Sequence, residues 1–222
     1  MQTLLFDLDG TLTDSREGIV ACIGHALECL GEEPPPDATL DRFIGPPLED
    51  GFAQLLGVPR ESHRVGQAVA RYRERFDERG WRENRVYPGV PELLEAVRER
   101  GWRCFVATSK PTVFARRILS HFGLRERLDG VYGSDLDGRL GSKPELVAHV
   151  LASEALAPQR AVMVGDRRHD VEGARANGVA SIGVLWGYGS RAELESAGAD
   201  RVCEDPSELL DALDSFSAPG VS

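Results

Sequence analysis

Short, almost wholly apolar runs recur along the chain with amphipathic stretches between them, and that alternation restricts the fold more than any other feature. The runs are Leu4-Leu5-Phe6, Cys104-Phe105-Val106-Ala107, Ala161-Val162-Met163-Val164 and Ser181-Ile182-Gly183-Val184-Leu185. Runs of this length without polar alternation suit parallel strands covered on both faces. The stretches between them carry apolar residues at helical spacing: Leu93, Leu94 and Val97; Val113, Ile118 and Phe122; Leu146, Val147, Val150 and Leu151. Gly101, Gly123, Gly178 and Gly198 stand where these helices would end. The predicted fold class is α/β, a doubly wound, mainly parallel, Rossmann-like sheet with helices on both faces.

Residues 15–84 break the alternation. Ile19, Ile23, Leu27 and Leu30 mark a helix ending at Gly31, and Asp14-Ser15-Arg16-Glu17 resembles its capping box. Pro34-Pro35-Pro36 is a stiff connector. Phe52, Leu55 and Leu56 mark a second helix, and a third is expected from Glu61 to Arg79 with Arg64, Arg71, Arg75 and Arg79 on a solvated face. The expected organisation is a discontinuous α/β core, residues 1–14 and 85–222, with an all-helical cap domain, residues 15–84, inserted after the first strand. The core resumes near Val86-Tyr87-Pro88-Gly89, and Ser215–Ser222, rich in Ser, Ala, Pro and Gly, is expected to fray.

Composition narrows the function classes. With 26 Lys and Arg against 36 Asp and Glu, the net charge of −10 argues against a nucleic-acid polymer as partner, which calls for a basic face. No apolar run approaches the ~20 residues that span a bilayer, so no membrane partner is expected. Met1–Gly10 lacks the basic start of a secretory signal. Cys22, Cys29, Cys104 and Cys203 form no Cys-x-x-Cys pair. Cys22 and Cys29, seven apart on one predicted helix, would stand ~10.5 Å apart, beyond disulfide reach. Buried thiols in a reducing, cytoplasmic setting are the expectation.

Four strings carry the candidate chemistry. Asp7-Leu8-Asp9-Gly10-Thr11-Leu12 sets two acids two apart at the end of an apolar strand, where open α/β sheets bind ligands. Paired carboxylates there need a compensating cation, although an Asp-rich turn alone would give the same string. Val164-Gly165-Asp166-Arg167-Arg168-His169-Asp170 brings more carboxylates to the same sheet edge, and such an oxygen-only set suits Mg²⁺. Asp170 also stands where a helix N-cap would. Thr108-Ser109-Lys110-Pro111 follows a strand expected to end at Ala107, and its hydroxyls and helix-start amides could hold a phosphate. In Gly141-Ser142-Lys143-Pro144, Pro144 suits the first helical turn, and Lys143 sits at the positive end of a helix dipole, against the local rule. Trp186-Gly187-Tyr188-Gly189 reads either as a site wall or as a plain Gly-rich loop. His169 reads as surface.

The ordered set, acid pair, Thr-Ser-Lys, Lys-Pro and Gly-Asp-x-x-x-Asp, resembles the haloacid dehalogenase-like hydrolase superfamily, in its capped phosphatase branch, over residues 2 to about 214. The string Arg42-Phe43-Ile44-Gly45-Pro46-Pro47-Leu48 is similar to the phosphoglycolate phosphatase-like subgroup, and the strings Gly165–Gly178 and Gly183–Gly189 to members described as 5′-nucleotidases. The resemblance implies Asp7 as nucleophile forming an aspartyl-phosphate. It implies Asp9 as acid and then base, its backbone carbonyl also on Mg²⁺. Thr108 and Lys143 would act on the transferring phosphoryl group, with Gly10 and Ser109 helping to bind phosphate. Asp166 would bind the metal directly and Asp170 through its waters. Arg42, Ile44, Gly45, Pro46 and Leu48 would set specificity from the cap. Ser109 stands where many relatives have Asn, and Arg167 where many have Ser. A carboxylate at Asp9 disfavours dehalogenation.

The implied function is a Mg²⁺-dependent phosphatase of a small phosphorylated metabolite, a nucleoside 5′-monophosphate first and 2-phosphoglycolate as alternative. A phosphomutase of the same fold and a non-enzymatic phosphoacceptor regulator are further alternatives. The chain is expected to be monomeric or homodimeric.

Overall fold

The architecture is that of a computed structural model, which describes residues 2–217. In chain order the elements are β1 (Thr3–Phe6), β2 (Thr13–Asp14), α1 (Arg16–Cys29), α2 (Asp37–Leu40), α3 (Leu48–Leu56), α4 (His63–Arg75), β3 (Arg85–Val86), α5 (Val90–Glu99), β4 (Arg103–Pro111), α6 (Thr112–His121), β5 (Gly130–Ser134), α7 (Lys143–Ser153), β6 (Ala161–Gly165), α8 (Arg168–Ala176), β7 (Ala180–Val184), α9 (Arg191–Ala197), β8 (Arg201–Cys203) and α10 (Pro206–Ser217). They fall into two compact units, Met1–Leu12 with Val86–Ser222, and Thr13–Arg85. Residues 218–222 of the tail expected to fray lie outside the described residues.

The larger unit is a six-stranded sheet in the order β5-β4-β1-β6-β7-β8, and its pairings are parallel. This is the predicted doubly wound α/β class. The sheet is buried on both faces. Leu5, Phe105, Ala107 and Met163 join Leu146, Val147 and Val150 of α7 in one core. Their alternates Leu4, Phe6, Cys104, Val106, Val162 and Val164 point the other way and are no more than 3% exposed. β1 is central. Its last residue, Phe6, pairs with Val106 on one side and Val164 on the other. The strand order reverses at β1, so a crevice opens beyond the carboxyl ends of β1, β4 and β6.

Three local expectations are corrected. β5 and β8 are additional strands. β5 (Gly-Val-Tyr-Gly-Ser) hides its signal because Gly130 leaves room for the Phe105 ring, only 2.9 Å from where a Cβ would stand. β4 runs on to Pro111, so Thr108 lies in the strand and α6 starts at Thr112. Val113 is 53% exposed, because five residues place it about 140° around the helix from Ile118, and the buried face carries Phe114, Ala115, Ile118 and Leu119.

The smaller unit is helical apart from the short paired strands β2 and β3. Ile19, Ile23, Ala26 and Leu27 of α1 and Val65, Ala68, Val69 and Tyr72 of α4 are buried. Tyr72 stacks on Phe76 with ring centroids 5.6 Å apart. Gly18 is required where the chain crosses itself, since a Cβ there would meet the Gly80 carbonyl at 2.2 Å. The expected capping box does not form. The Asp14 carboxylate accepts from the Arg16 amide, and Ser15 makes no side-chain cap. Cys29 is exposed, whereas Cys22, Cys104 and Cys203 are buried as expected. The long helix expected to reach Arg79 ends at Arg75 and continues as one π turn, Phe76–Gly80.

Arg75 is also corrected. It is buried, donating to Glu83 at 2.7 and 3.1 Å and to Cys22 Sγ at 3.1 Å. Removing one member of such a pair strands the other charge. Arg75→Met is therefore expected to destabilise the protein by about 2 kcal/mol, measured by urea unfolding. The exposed Arg71, paired with Glu74, should tolerate the same change with no shift of the midpoint.

Candidate active site

Asp7 leaves β1 with its amide bonded to the Val164 carbonyl of β6 at 2.9 Å, so the central strand's hydrogen bonding fixes where its carboxyl begins. The chain then turns sharply. Thr11 and Leu12 amides return to the Leu8 carbonyl, and Gly10 takes φ +84°. Glycine is needed here twice over, since a Cβ would also lie 2.2 Å from Asp166 Oδ2. Asp166 follows β6, Thr108 lies near the end of β4, Lys143 is the first residue of α7 and Asp170 is in the first turn of α8. Asp7, Asp9, Thr108, Lys143, Asp166 and Asp170 are all buried.

Lys143 is the hub. Its Nζ lies 2.6 Å from Asp170 Oδ1, 2.8 Å from Asp7 Oδ1 and 2.8 Å from the Ala107 carbonyl. The Ala107 carbonyl accepts a hydrogen bond from it, and the two carboxylate oxygens are ion-paired with it. Burial pulls the Lys143 pKa down, but the carboxylates of Asp170 and Asp7 overcome it and the net shift is upward. Asp170 uses both its oxygens, because Oδ2 accepts from the Arg167 amide at 3.1 Å. It therefore caps α8 and pairs with Lys143 at once. Its pKa is pushed up to about 6, chiefly by burial and against the pull of Lys143.

Asp166 is fully buried. Its Oδ2 accepts from the Tyr188 amide at 2.7 Å, and its Oδ1 has no hydrogen-bond partner. Burial, then the charges of Asp170 and Asp7, hold its carboxyl well above the usual range. Asp7, Asp166 and Asp170 each offer one carboxylate oxygen, and these lie within 4.8 Å of one another. One ammonium cannot balance three carboxylates. The orphaned Asp166 oxygen and the all-oxygen donor set fit a hard divalent cation such as Mg²⁺.

Asp9 stands apart from that cluster. Its Oδ2 is 2.9 Å from Lys110 Nζ, and both side chains are under 10% exposed. Thr108 Oγ1 accepts from the Lys110 amide at 3.3 Å, and the Ser109 carbonyl accepts from Ser134 Oγ at 2.8 Å. The helix-start amides expected at 108–110 belong instead to a strand. Arg42, Ile44, Gly45, Pro46 and Leu48 are in the smaller unit, with Ile44 fully buried and Arg42 exposed over the Phe43 ring.

The loop read either as a site wall or as plain Gly-rich chain lies against the site. Trp186 Nε1 donates to the Thr11 carbonyl at 2.9 Å, and a Cβ on Gly187 would lie 2.2 Å from the Gly10 carbonyl. His169 is partly exposed, with Nδ1 3.8 Å from Glu172. Lys110 received no separate role from the sequence. Its only signal is its place directly after Thr-Ser.

Fold and site together define a doubly wound α/β protein with an acid-rich centre at the switch point. The family profile described as haloacid dehalogenase-like hydrolase matches residues 4–184, and the chain belongs to that family. It is 50% identical over 212 residues to a 5′-nucleotidase of Pseudomonas aeruginosa, covering 96% of this chain and 95% of that one. It is 43% identical over 189 residues to the tyrosine-protein kinase PtkA of Mycobacterium tuberculosis, covering 85% of this chain and 63% of that one. Among solved structures, a predicted phosphatase from Clostridium acetobutylicum superposes with TM-score 0.93 at 39% identity, covering 96% of this chain and 98% of that one.

The raised carboxyls set a pH dependence. A carboxyl whose folded pKa is raised favours folding below its unfolded value, 3.8, and that contribution is lost as pH rises through about 6. With EDTA present, the melting temperature of wild type is expected to fall relative to Asp166→Asn as pH rises above the usual carboxylate range, because burial and the charges of Asp170 and Asp7 hold the Asp166 carboxyl well above that range. Once the carboxyl has ionised the variant should melt at least about 2 °C higher. Added Mg²⁺ should raise the wild type and leave the variant unchanged, as read by differential scanning calorimetry.

Proposed function

We propose that this chain is a Mg²⁺-dependent phosphatase that hydrolyses the phosphomonoester of a small metabolite, a nucleoside 5′-monophosphate in first place. The observation that carries the reading is Asp7, at the switch point, ion-paired to the buried Lys143, with a second acid two residues on. The full-length similarity to a protein named 5′-nucleotidase supports the substrate class.

Asp7 is assigned as the nucleophile. Its carboxylate oxygen attacks phosphorus, the bond from phosphorus to the ester oxygen breaks, and an aspartyl-phosphate forms. Asp9 gives its proton to the departing oxygen. In the second step Asp9 takes a proton from water as the water oxygen attacks phosphorus, releasing inorganic phosphate and regenerating Asp7. Splitting one displacement into two lowers each barrier, and positioned acid–base catalysis contributes about 10²–10⁴-fold. Lys143 neutralises charge on Asp7 and on the phosphoryl group, while Thr108, Ser109 and the Gly10 turn bind its oxygens. Asp7, Asp166, Asp170 and the Asp9 backbone carbonyl would hold Mg²⁺, which supplies positive charge against the phosphoryl oxygens.

The helical unit is assigned as a cap carrying specificity, with Arg42, Ile44, Gly45, Pro46 and Leu48 as its contributors. A cytoplasmic location suits such a substrate. Among the described residues no helix is long and apolar enough to cross a membrane.

The test is release of inorganic phosphate from AMP, 2-phosphoglycolate and sugar phosphates, with Mg²⁺ and then with EDTA. Turnover that is greatest on nucleoside monophosphates and lost with chelator is expected. Turnover greatest on 2-phosphoglycolate would replace the substrate and keep the chemistry. Isomerised sugar phosphate without free phosphate, or transfer to tyrosine instead of water, would overturn the hydrolase reading. Asp7→Asn should lower kcat by about 10³-fold or more, and near-normal activity in that variant would refute Asp7 as nucleophile.

A further inference from the structure

The second buried lysine of the core needs a reason. A lysine side chain 6% exposed is costly unless it is paired, and Lys110 is paired with Asp9. Lys143 does not serve that acid, since its acceptors are Asp7, Asp170 and Ala107.

The backbone that delivers Lys110 is irregular in a specific way. β4 and β5 pair in regular register from Phe105 opposite Gly130 to Thr108 opposite Gly133, and the next pair is Pro111 opposite Ser134. Ser109 and Lys110 are thus extra residues on β4, a bulge that redirects the strand. Side chains pin it. Ser134 Oγ donates to the Ser109 carbonyl at 2.8 Å, the Gly133 amide donates to Thr112 Oγ1 at 3.0 Å, and the Lys110 amide donates to Thr108 Oγ1 at 3.3 Å. Gly133 makes the bulge possible, because a Cβ there would stand 2.3 Å from the Lys110 carbonyl.

The consequence falls on Asp9. Its Oδ2 is engaged by Lys110, while its Oδ1 is buried and has no hydrogen-bond partner. We propose that Lys110 is a positioning residue for leaving-group protonation: by holding Asp9 Oδ2 it fixes the carboxyl plane and presents Oδ1 to the ester oxygen that departs. This rests on the reading of Asp9 as the general acid. Gly133, which accommodates the β4 bulge, is then part of the catalytic geometry, although it touches none of the reacting atoms.

The test exploits leaving groups. An alkyl phosphate such as AMP needs a proton on its departing oxygen, and p-nitrophenyl phosphate does not. With Mg²⁺ present, Lys110→Met is expected to lower kcat/KM, which reports the steps up to loss of the leaving group, about 30-fold on AMP and less than about threefold on p-nitrophenyl phosphate. Gly133→Ala keeps every charged group and should shift the ratio of the two rates in the same direction by a smaller factor. That ratio is insensitive to the fraction of enzyme folded. Equal losses of kcat/KM on both substrates in Lys110→Met, or no loss on AMP, would overturn the inference. Asp9→Asn separates the two layers. If it discriminates between the substrates and Lys110→Met does not, the role of Lys110 fails alone. If Asp9→Asn lowers kcat/KM equally on both substrates, the general-acid reading fails and the inference with it.

Discussion

The structure depends on holding three carboxylates, Asp7, Asp166 and Asp170, around a single buried ammonium, Lys143. Left to themselves such groups would move apart or take up protons, because burial and mutual repulsion both disfavour the charged forms. Here they cannot move apart. Asp7 and Asp166 are fixed by the ends of the adjacent strands β1 and β6, and Asp170 is fixed by the cap it makes on α8. Burial, with repulsion added, raises the Asp166 and Asp170 carboxyls and leaves an unsatisfied oxygen on Asp166, which is the state a cation relieves.

The surrounding glycines follow from the same constraint. A Cβ at Gly165 would meet Asp170 Cγ at 2.2 Å, one at Gly187 would meet Asp166 Cβ at 2.4 Å, and one at Gly189 would meet the Asp166 carbonyl at 1.8 Å. With Gly10, where a Cβ would meet Asp166 Oδ2, the backbone closes around the acids on three segments, which must lack side chains there. The Trp186–Gly189 loop belongs to the site for this reason. It gives Asp166 its hydrogen bond through the Tyr188 amide, while Trp186 ties the loop to the turn at Thr11.

What could be read from the sequence follows how directly each side chain is placed by regular structure. β1, β4, β6 and β7 were legible because strands buried on both faces must be apolar throughout, and the acids directly after them needed only the rule for strand ends. β5 was not, because Gly130 and Gly133 are there to accommodate Phe105 and Lys110 and break the apolar pattern. Arg75 had the spacing of a solvated face, yet lies at the end of α4 where Glu83 and Cys22 enclose it. Such contacts are 8 and 53 residues distant in sequence, beyond any local period.

The two lysines show the same division within the site. Lys143 broke a local rule, a cation at a helix start, and so announced itself. Lys110 broke none, because its direction is set by a bulge defined jointly by β4 and β5. Their duties differ in kind. Lys143 meets the phosphoryl side of the proposed reaction, with Asp7, and Lys110 the leaving-group side, with Asp9. A single lysine between Asp7 and Asp9 would couple the two acids, so that charge developing on one altered the orientation of the other. In the proposed reaction, separate partners leave Asp7 to act as nucleophile while Asp9 alternates between acid and base. On that proposal the irregular stretch of β4 is the structural means by which two carboxylates only two residues apart are kept chemically independent.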